Sequence, residues 1–319
     1  MSKEEVKGHF LPEEILDENA KAISEHTFSY KSFLWMRNMA QNMQRILEGH
    51  NLAELMEEYR GKRGSAIVVG GGPSIERHRH LDILAESGYE GTILACDKML
   101  IPLLKRGVIP DIVGTVDGDP RIAKYYDDPI VNKYASEIKA VFCANSVSPE
   151  VVERWIKAGG EIWWFIAIWD DPVKNVKSVT RLLHFMTGKM MCNVGGNIGT
   201  TLWNIAYMLG RNPIALIGMD LGYPEDTDLT KTPYYDAWVK MTGGDPEAIA
   251  RCFRKGYNPH FKCYYYTDLM FDAYRRILEE MIKHASVKTI NCTEGGSLHF
   301  KHPNFKCMKL KTFLKKFKR

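Results

Sequence analysis

The chain has 319 residues, 45% of them hydrophobic and 26% charged, and a formal net charge of +4. That suits a globular protein with a sizeable core, and no apolar stretch approaches the roughly 20 residues that span a bilayer. With an acidic start, Met1 to Glu5, in place of a signal peptide, the expected location is the cytoplasm. Seven cysteines without a C-x-x-C pair fit neither a disulfide framework nor a zinc site, so Cys96, Cys143 and Cys192 are expected to be buried thiols. Nothing points to a nucleic-acid partner, and a homo-oligomer is compatible with the sequence.

In chain order, residues 1–62 form an N-terminal helical arm, with helical character over 12–62. Leu52, Leu55, Met56 and Tyr59 keep the 3.6 period, and Asn51 caps them. From residue 63 to 305 short β-rich runs alternate with helical stretches. Strands are predicted at 65–70, 91–96, 111–116, 139–144, 161–168, 213–218 and 286–291. This alternation predicts an α/β fold, a doubly wound, mainly parallel Rossmann-like sheet. Residues 221–267, rich in Tyr, Pro and Gly, read as a lid or acceptor-binding insertion. The last segment, 306–319, carries six lysines, one arginine and no acid, which is +7 against −3 for the remainder. Leu310, Phe313, Leu314 and Phe317 make it an amphipathic basic helix, suited either to docking on the core or to an anionic membrane surface.

In such sheets ligands bind beyond the carboxyl ends of the strands. The first strand runs into Gly70, Gly71, Gly72, Pro73 and Ser74. Glycines there let a ligand approach the backbone, and a helix starting at Ser74 would aim its free N–H groups at a phosphate. The spacing matches neither G-x-G-x-x-G, whose third position falls on Ile75, nor a Walker loop. Other strand ends present Asp97, Asp117 with Asp119, Asn145, Gly218 with Asp220, and Glu294. A second glycine-rich helix start, Gly195 to Thr201, offers Asn197 and Thr200 to a second anionic or sugar-like group.

Five segments in order, 69–75, 109–113, 195–201, 217–223 and 291–296, resemble the Maf (motility-associated factor) flagellin glycosyltransferases. These share a domain type with the archaeal 6-hydroxymethylpterin pyrophosphokinases called MptE. The Gly-Pro-Ser loop and the Gly-x-Asp-Leu segment are also similar to those of bacterial sialyltransferases that use CMP-sialic acid. The resemblance implies a nucleotide-dependent transferase, foremost one moving a sugar of the nonulosonic-acid type from a CMP- or other nucleotide-activated donor to a glycan, protein or other hydroxyl acceptor, without a cofactor. A His would remove the acceptor proton and tyrosines would stabilise the departing phosphate. On that likeness His260 is the candidate base, Asp220 lies near the donor, and Tyr223 and Tyr264 are the phosphate partners.

The alternative it implies is diphosphoryl transfer from ATP to a pterin, with Mg²⁺ held by Asp97, Asp117 and Asp119. There the chain departs from the pattern. Thr115-Val116-Asp117-Gly118 stands where the kinases have Asp-Leu-Asp-Gly, and Lys98 stands where they usually have Gly. A non-catalytic nucleotide-binding protein is the remaining alternative.

Overall fold

Runs such as Ala66–Val69 and Ile214–Ile217 become strands because helices cover the sheet on both faces, leaving no polar side to alternate. The computed structural model describes residues 18–318, with side chains from residue 29. The acidic start, the first part of the arm and Arg319 lie outside the described residues.

The amino-terminal half runs α1 (Glu18–Glu48), β1 (His50–Asn51), α2 (Leu52–Tyr59), β2 (Ala66–Val69), α3 (Ser74–Arg77), α4 (His80–Ser87), β3 (Thr92–Cys96) and α5 (Asp97–Leu104). It continues through β4 (Ile112–Thr115), α6 (Pro129–Tyr134), β5 (Lys139–Cys143), α7 (Pro149–Lys157) and β6 (Ile162–Ala167). Then come α8 (Val179–Thr187), β7 (Met190–Cys192), α9 (Ile198–Met208), β8 (Ile214–Ile217), β9 (Tyr223–Pro224), α10 (Tyr235–Met241) and α11 (Pro246–Arg251). The chain closes with β10 (Phe253–Asn258), β11 (Cys263–Asp268), α12 (Leu269–His284), β12 (Thr289–Asn291), β13 (Phe305–Cys307) and α13 (Leu310–Lys316).

Among the described residues the main sheet has ten strands, in the order β1-β6-β5-β4-β3-β2-β8-β12-β13 with β7 also on β6. Every pairing in it is parallel. Each of the seven predicted segments holds one of its strands; β1, β7 and β13, of two or three residues, were not predicted. One core layer joins the sheet to α4, α9, α12 and α13. The other joins it to α1, α5, α7 and the buried Tyr126.

The predicted arm is not one continuous helix. It breaks at residues 49–51, where β1 adds to the sheet and Asn51 caps α2 in a reciprocal pair with Glu54. Met39 and Ile46 of α1 are buried in the core, so this segment is part of the domain. The insertion after β8 carries a small antiparallel sheet, β10-β11-β9.

The basic tail docks on the core. Leu310, Phe313 and Leu314 are buried, so the apolar side expected to reach a membrane is already covered. Phe313→Ala should cost about 3–4 kcal/mol in a urea titration, as for a fully buried phenylalanine. A loss under about 1 kcal/mol would mean that the helix is not held there.

Candidate functional site

The chain leaves β2 toward β3 and runs outward to β6, then returns on the other side of β2 through β8, β12 and β13. The topological switch point therefore lies between β2 and β8, where an open α/β sheet offers its ligand crevice. Both strongest sequence signals, Gly70–Ser74 and Gly218–Asp220, sit at the ends of these two strands.

They meet each other. The Gly70 N–H donates to Ile217 O at 2.8 Å and the Gly72 N–H to Gly218 O at 2.9 Å. The Ser74 hydroxyl donates to Asp220 Oδ2 at 2.7 Å, and its backbone N–H to Oδ1 at 3.2 Å. This corrects the expected phosphate cradle: α3 is a single turn, ended by Arg79 in the left-handed region (φ 53°), and its first N–H already binds a carboxylate. Gly72 is small because Asp220 and the Gly218 carbonyl pack against it. On the Gly71 side of the loop the exposed Lys98 donates from Nζ to Gly71 O at 3.1 Å.

Asp220 is buried under the loop after β12, where the Ser297 N–H donates to its backbone carbonyl at 2.8 Å. Burial pushes its carboxyl up to about 6, against the pull of Ser74. Asp97 likewise rises to about 6 through burial, although the Thr115 hydroxyl and the Lys98 N–H both donate to it. Glu294 accepts from the Leu310 N–H at 3.0 Å and lies 3.5 Å from Nε2 of the fully buried His80, whose two ring nitrogens have no hydrogen-bond partner. These contacts outweigh burial and hold Glu294 below the usual glutamate range.

Other predicted residues serve the framework. Asn145 cross-links the ends of β5 and β6 through both its amide atoms and Ala167. Asn197 caps α9 through the Thr200 N–H, and its Nδ2 donates to the Thr200 hydroxyl at 2.9 Å. Gly195 and Gly196, at φ 56° and 85°, lie against Thr200 and Tyr274. The buried Tyr223 hydroxyl donates to Asp268 Oδ2 at 2.7 Å, so it is not presented to a phosphate. Tyr264 lies tilted against Tyr257 on the exposed face of the hairpin, under Lys255.

The acids proposed for Mg²⁺ do not converge. Asp119 is the cap of a short 3₁₀ turn and is held by the Arg121 guanidinium, which keeps it below the usual aspartate range. Asp117 is half-exposed, 3.9 Å from Lys31 Nζ, and Asp97 is turned onto Thr115. Among the described residues no group of three or more His, Cys, Asp or Glu side chains is placed to hold a metal ion. This donor set does not fit a protein-built Mg²⁺ cage.

His260 lies exposed at the turn between β10 and β11, and Asn258 fastens that turn to Gly296 O at 3.0 Å. The sequence did not single out its neighbour His299, eight residues after β12. Its Nε2 lies 3.2 Å from the Tyr265 hydroxyl. Burial, with Arg275 and His260 nearby, lowers its pKa and favours the neutral imidazole. The histidine follows the Asn-Cys-Thr-Glu-Gly-Gly segment, which was its only sequence signal. Lys98, noted in the sequence only as a departure from the kinase pattern, was not named there as a site residue.

The chain is thus an α/β protein with a mostly parallel sheet, an antiparallel insertion after β8, and polar groups at the switch point where such sheets bind their ligands. The chain belongs to the family described as 6-hydroxymethylpterin diphosphokinase MptE-like, whose model matches residues 37–226. It is similar to the solved structure of the MAf glycosyltransferase from Magnetospirillum magneticum AMB-1, at 16% identity and a TM-score of 0.48, over 85% of this chain and 40% of that one. The chain thus spans less than half of that protein. No curated protein matches the sequence.

Proposed function

We propose that the chain is a nucleotide-dependent transferase that moves a sugar from a CMP- or other nucleotide-activated donor to a hydroxyl acceptor. Family membership supports the transferase class. The observation that carries the finer reading is how the charged groups are committed: Asp97, Asp119 and Asp220 are bound internally, whereas Lys98 stands exposed over Gly71. That edge suits holding a phosphate with an ammonium and backbone.

Lys98, Gly71, Asp220 and His299 follow β3, β2, β8 and β12, four consecutive strands of the sheet. Three strand spacings span about 14 Å, enough for a donor phosphate at one end and its sugar at the other. In the transfer, an imidazole at the hairpin, His260 on its turn or His299 against Tyr265, takes the acceptor hydroxyl proton as the new C–O bond forms at the anomeric carbon. The bond to the phosphate oxygen breaks, and the nucleotide leaves with the electron pair, its charge facing Lys98. A neutral His299 is in the right protonation state near pH 7.

A thermal-shift panel with CMP, CDP, UDP, ATP and GTP, each with Mg²⁺ or EDTA, tests the reading. Stabilisation by cytidine nucleotides in EDTA is expected. A shift by ATP alone, dependent on Mg²⁺, would replace this reading with the diphosphokinase one, which the family description favours and for which half-exposed Asp117 is the available acid. With a donor that turns over, alanine at the true base should lower kcat about 100-fold or more with nucleotide binding unchanged. If neither His260→Ala nor His299→Ala does so, general-base transfer by either histidine is wrong.

A further inference from the structure

The helix α8 and the turn before it are apolar on the wrong side. Thr180, Leu183 and Thr187 face inward, as expected for a helix packed on β6 and β7. Yet Val173, Val176, Val179, Leu182, Phe185 and Met186 are also exposed, Val176 at 88% and Phe185 at 74%. On the helix Val179, Leu182, Phe185 and Met186 recur at three- and four-residue spacing and share the outer face, and Val173 and Val176 lie exposed in the turn that leads into it. Scattered exposed apolar residues need no explanation, but a continuous stripe at a sheet edge marks a contact surface.

Charge says what that surface meets. Lys174, Lys177 and Arg181 interleave with the stripe, and no Asp or Glu occurs from Pro172 to Met219. The two acids just before it are turned inward. Asp170 accepts from the Ser178 hydroxyl and the N–H groups of Val179 and Thr180, and Asp171 from the N–H groups of Val173 and Lys174. Arg181 donates to the carbonyls of Asn175 and Val176, bracing the crest of the turn under the most exposed valine. At the far end of the helix, Lys189 is buried on Gly49 O and Glu54 is engaged by His50 and the Asn51 N–H.

We infer that this stripe docks the protein on an anionic lipid surface. Val176, Leu182, Phe185 and Met186 enter the boundary between headgroups and acyl chains, while Lys177 and its neighbours meet the headgroup charge. A second copy of the chain would bring the same cations face to face, which opposes pairing through this stripe. The inference concerns a surface apart from the strand-end cleft and does not rest on the transferase reading.

Cosedimentation of the full chain with phosphatidylcholine vesicles, with and without phosphatidylserine, reads the contact directly. Binding is expected only with the anionic lipid and should weaken at high salt. Leu182→Ser with Phe185→Ser should reduce partitioning at least about tenfold, and Lys177→Glu about fivefold or more, with melting temperatures unchanged because these side chains are exposed. Absence of binding to anionic vesicles, or equal binding by the stripe variants, overturns the inference. So does loss of binding through Lys311→Glu with Lys315→Glu alone, which would assign the contact to the tail. If the stripe variants instead turn a dimer into a monomer and leave vesicle binding intact, the stripe is an interface between copies and the inference fails.

Discussion

Gly72→Val is expected to cost more than about 3 kcal/mol of stability, or to prevent accumulation of folded protein. A Cβ at this position would lie 2.0 Å from Asp220 Oδ2 and 2.7 Å from Gly218 O. The backbone of residue 72 is not in the left-handed region, so the constraint is space rather than conformational freedom. The carbonyl belongs to the hydrogen-bonded seam between the β2 and β8 loops, and the carboxylate is fixed by two Ser74 donors, so neither can move cheaply.

Gly71→Ala is the contrast. Its Cβ would meet the flexible Lys98 Cδ at 3.0 Å and Cys96 Sγ at 3.6 Å, so a loss within about 1 kcal/mol is expected. A double-mutant cycle sharpens the test: with Asp220→Ala already present, Gly72→Ala should cost less than alone, because the nearest colliding atom is gone. Urea titrations of the four proteins give the coupling. A folded Gly72→Val protein of wild-type stability would show that the two loops are not packed as described.

This seam also explains how far the sequence could be read. Two-sided burial makes strands such as Ala66–Val69 continuous apolar runs, so seven strands and their mainly parallel pairing were legible. Met190–Cys192 and Phe305–Cys307 are too short for any periodicity; they are strands because β6 and β12 offer them an edge. The glycine loop was legible as a place of close approach but not as to what approaches it. Its partner is 146 residues away in the chain, and no local pattern marks that a carboxylate from β8 occupies the donors at Ser74. Asp119's partner Arg121 stands only two residues on and was open to a local reading, whereas His299 went unnoticed because its significance comes from the hairpin that folds over it. The tail's amphipathic pattern was read correctly, while the surface that its apolar side meets became visible only in three dimensions.

Asp97→Asn and Asp220→Asn should each become more favourable as pH rises, by about 2.5 kcal/mol per site between pH 4 and pH 7.5. Both carboxyls are buried and rise from an ordinary 3.8 to about 6. A raised folded-state value contributes stability that is fully present below pH 3.8, where both states are neutral, and lost as pH climbs through 6. Asparagine mimics the neutral carboxyl at every pH, so the difference between variant and wild type removes the pH dependence of all other groups. Geometry allows the exchange at both sites. At 220 the amide oxygen still accepts the Ser74 N–H while the amide nitrogen donates to the Ser74 hydroxyl. At 97 the same division serves the Lys98 N–H and the Thr115 hydroxyl. Urea midpoints for wild type and the two variants across this range decide the matter. A variant-to-wild-type difference that stays constant with pH would mean that the carboxylates are ionised at no cost in the folded protein. In that case Asp220 would reach solvent or a cation through the β12 loop, and the closed edge between β2 and β8 would have to be open.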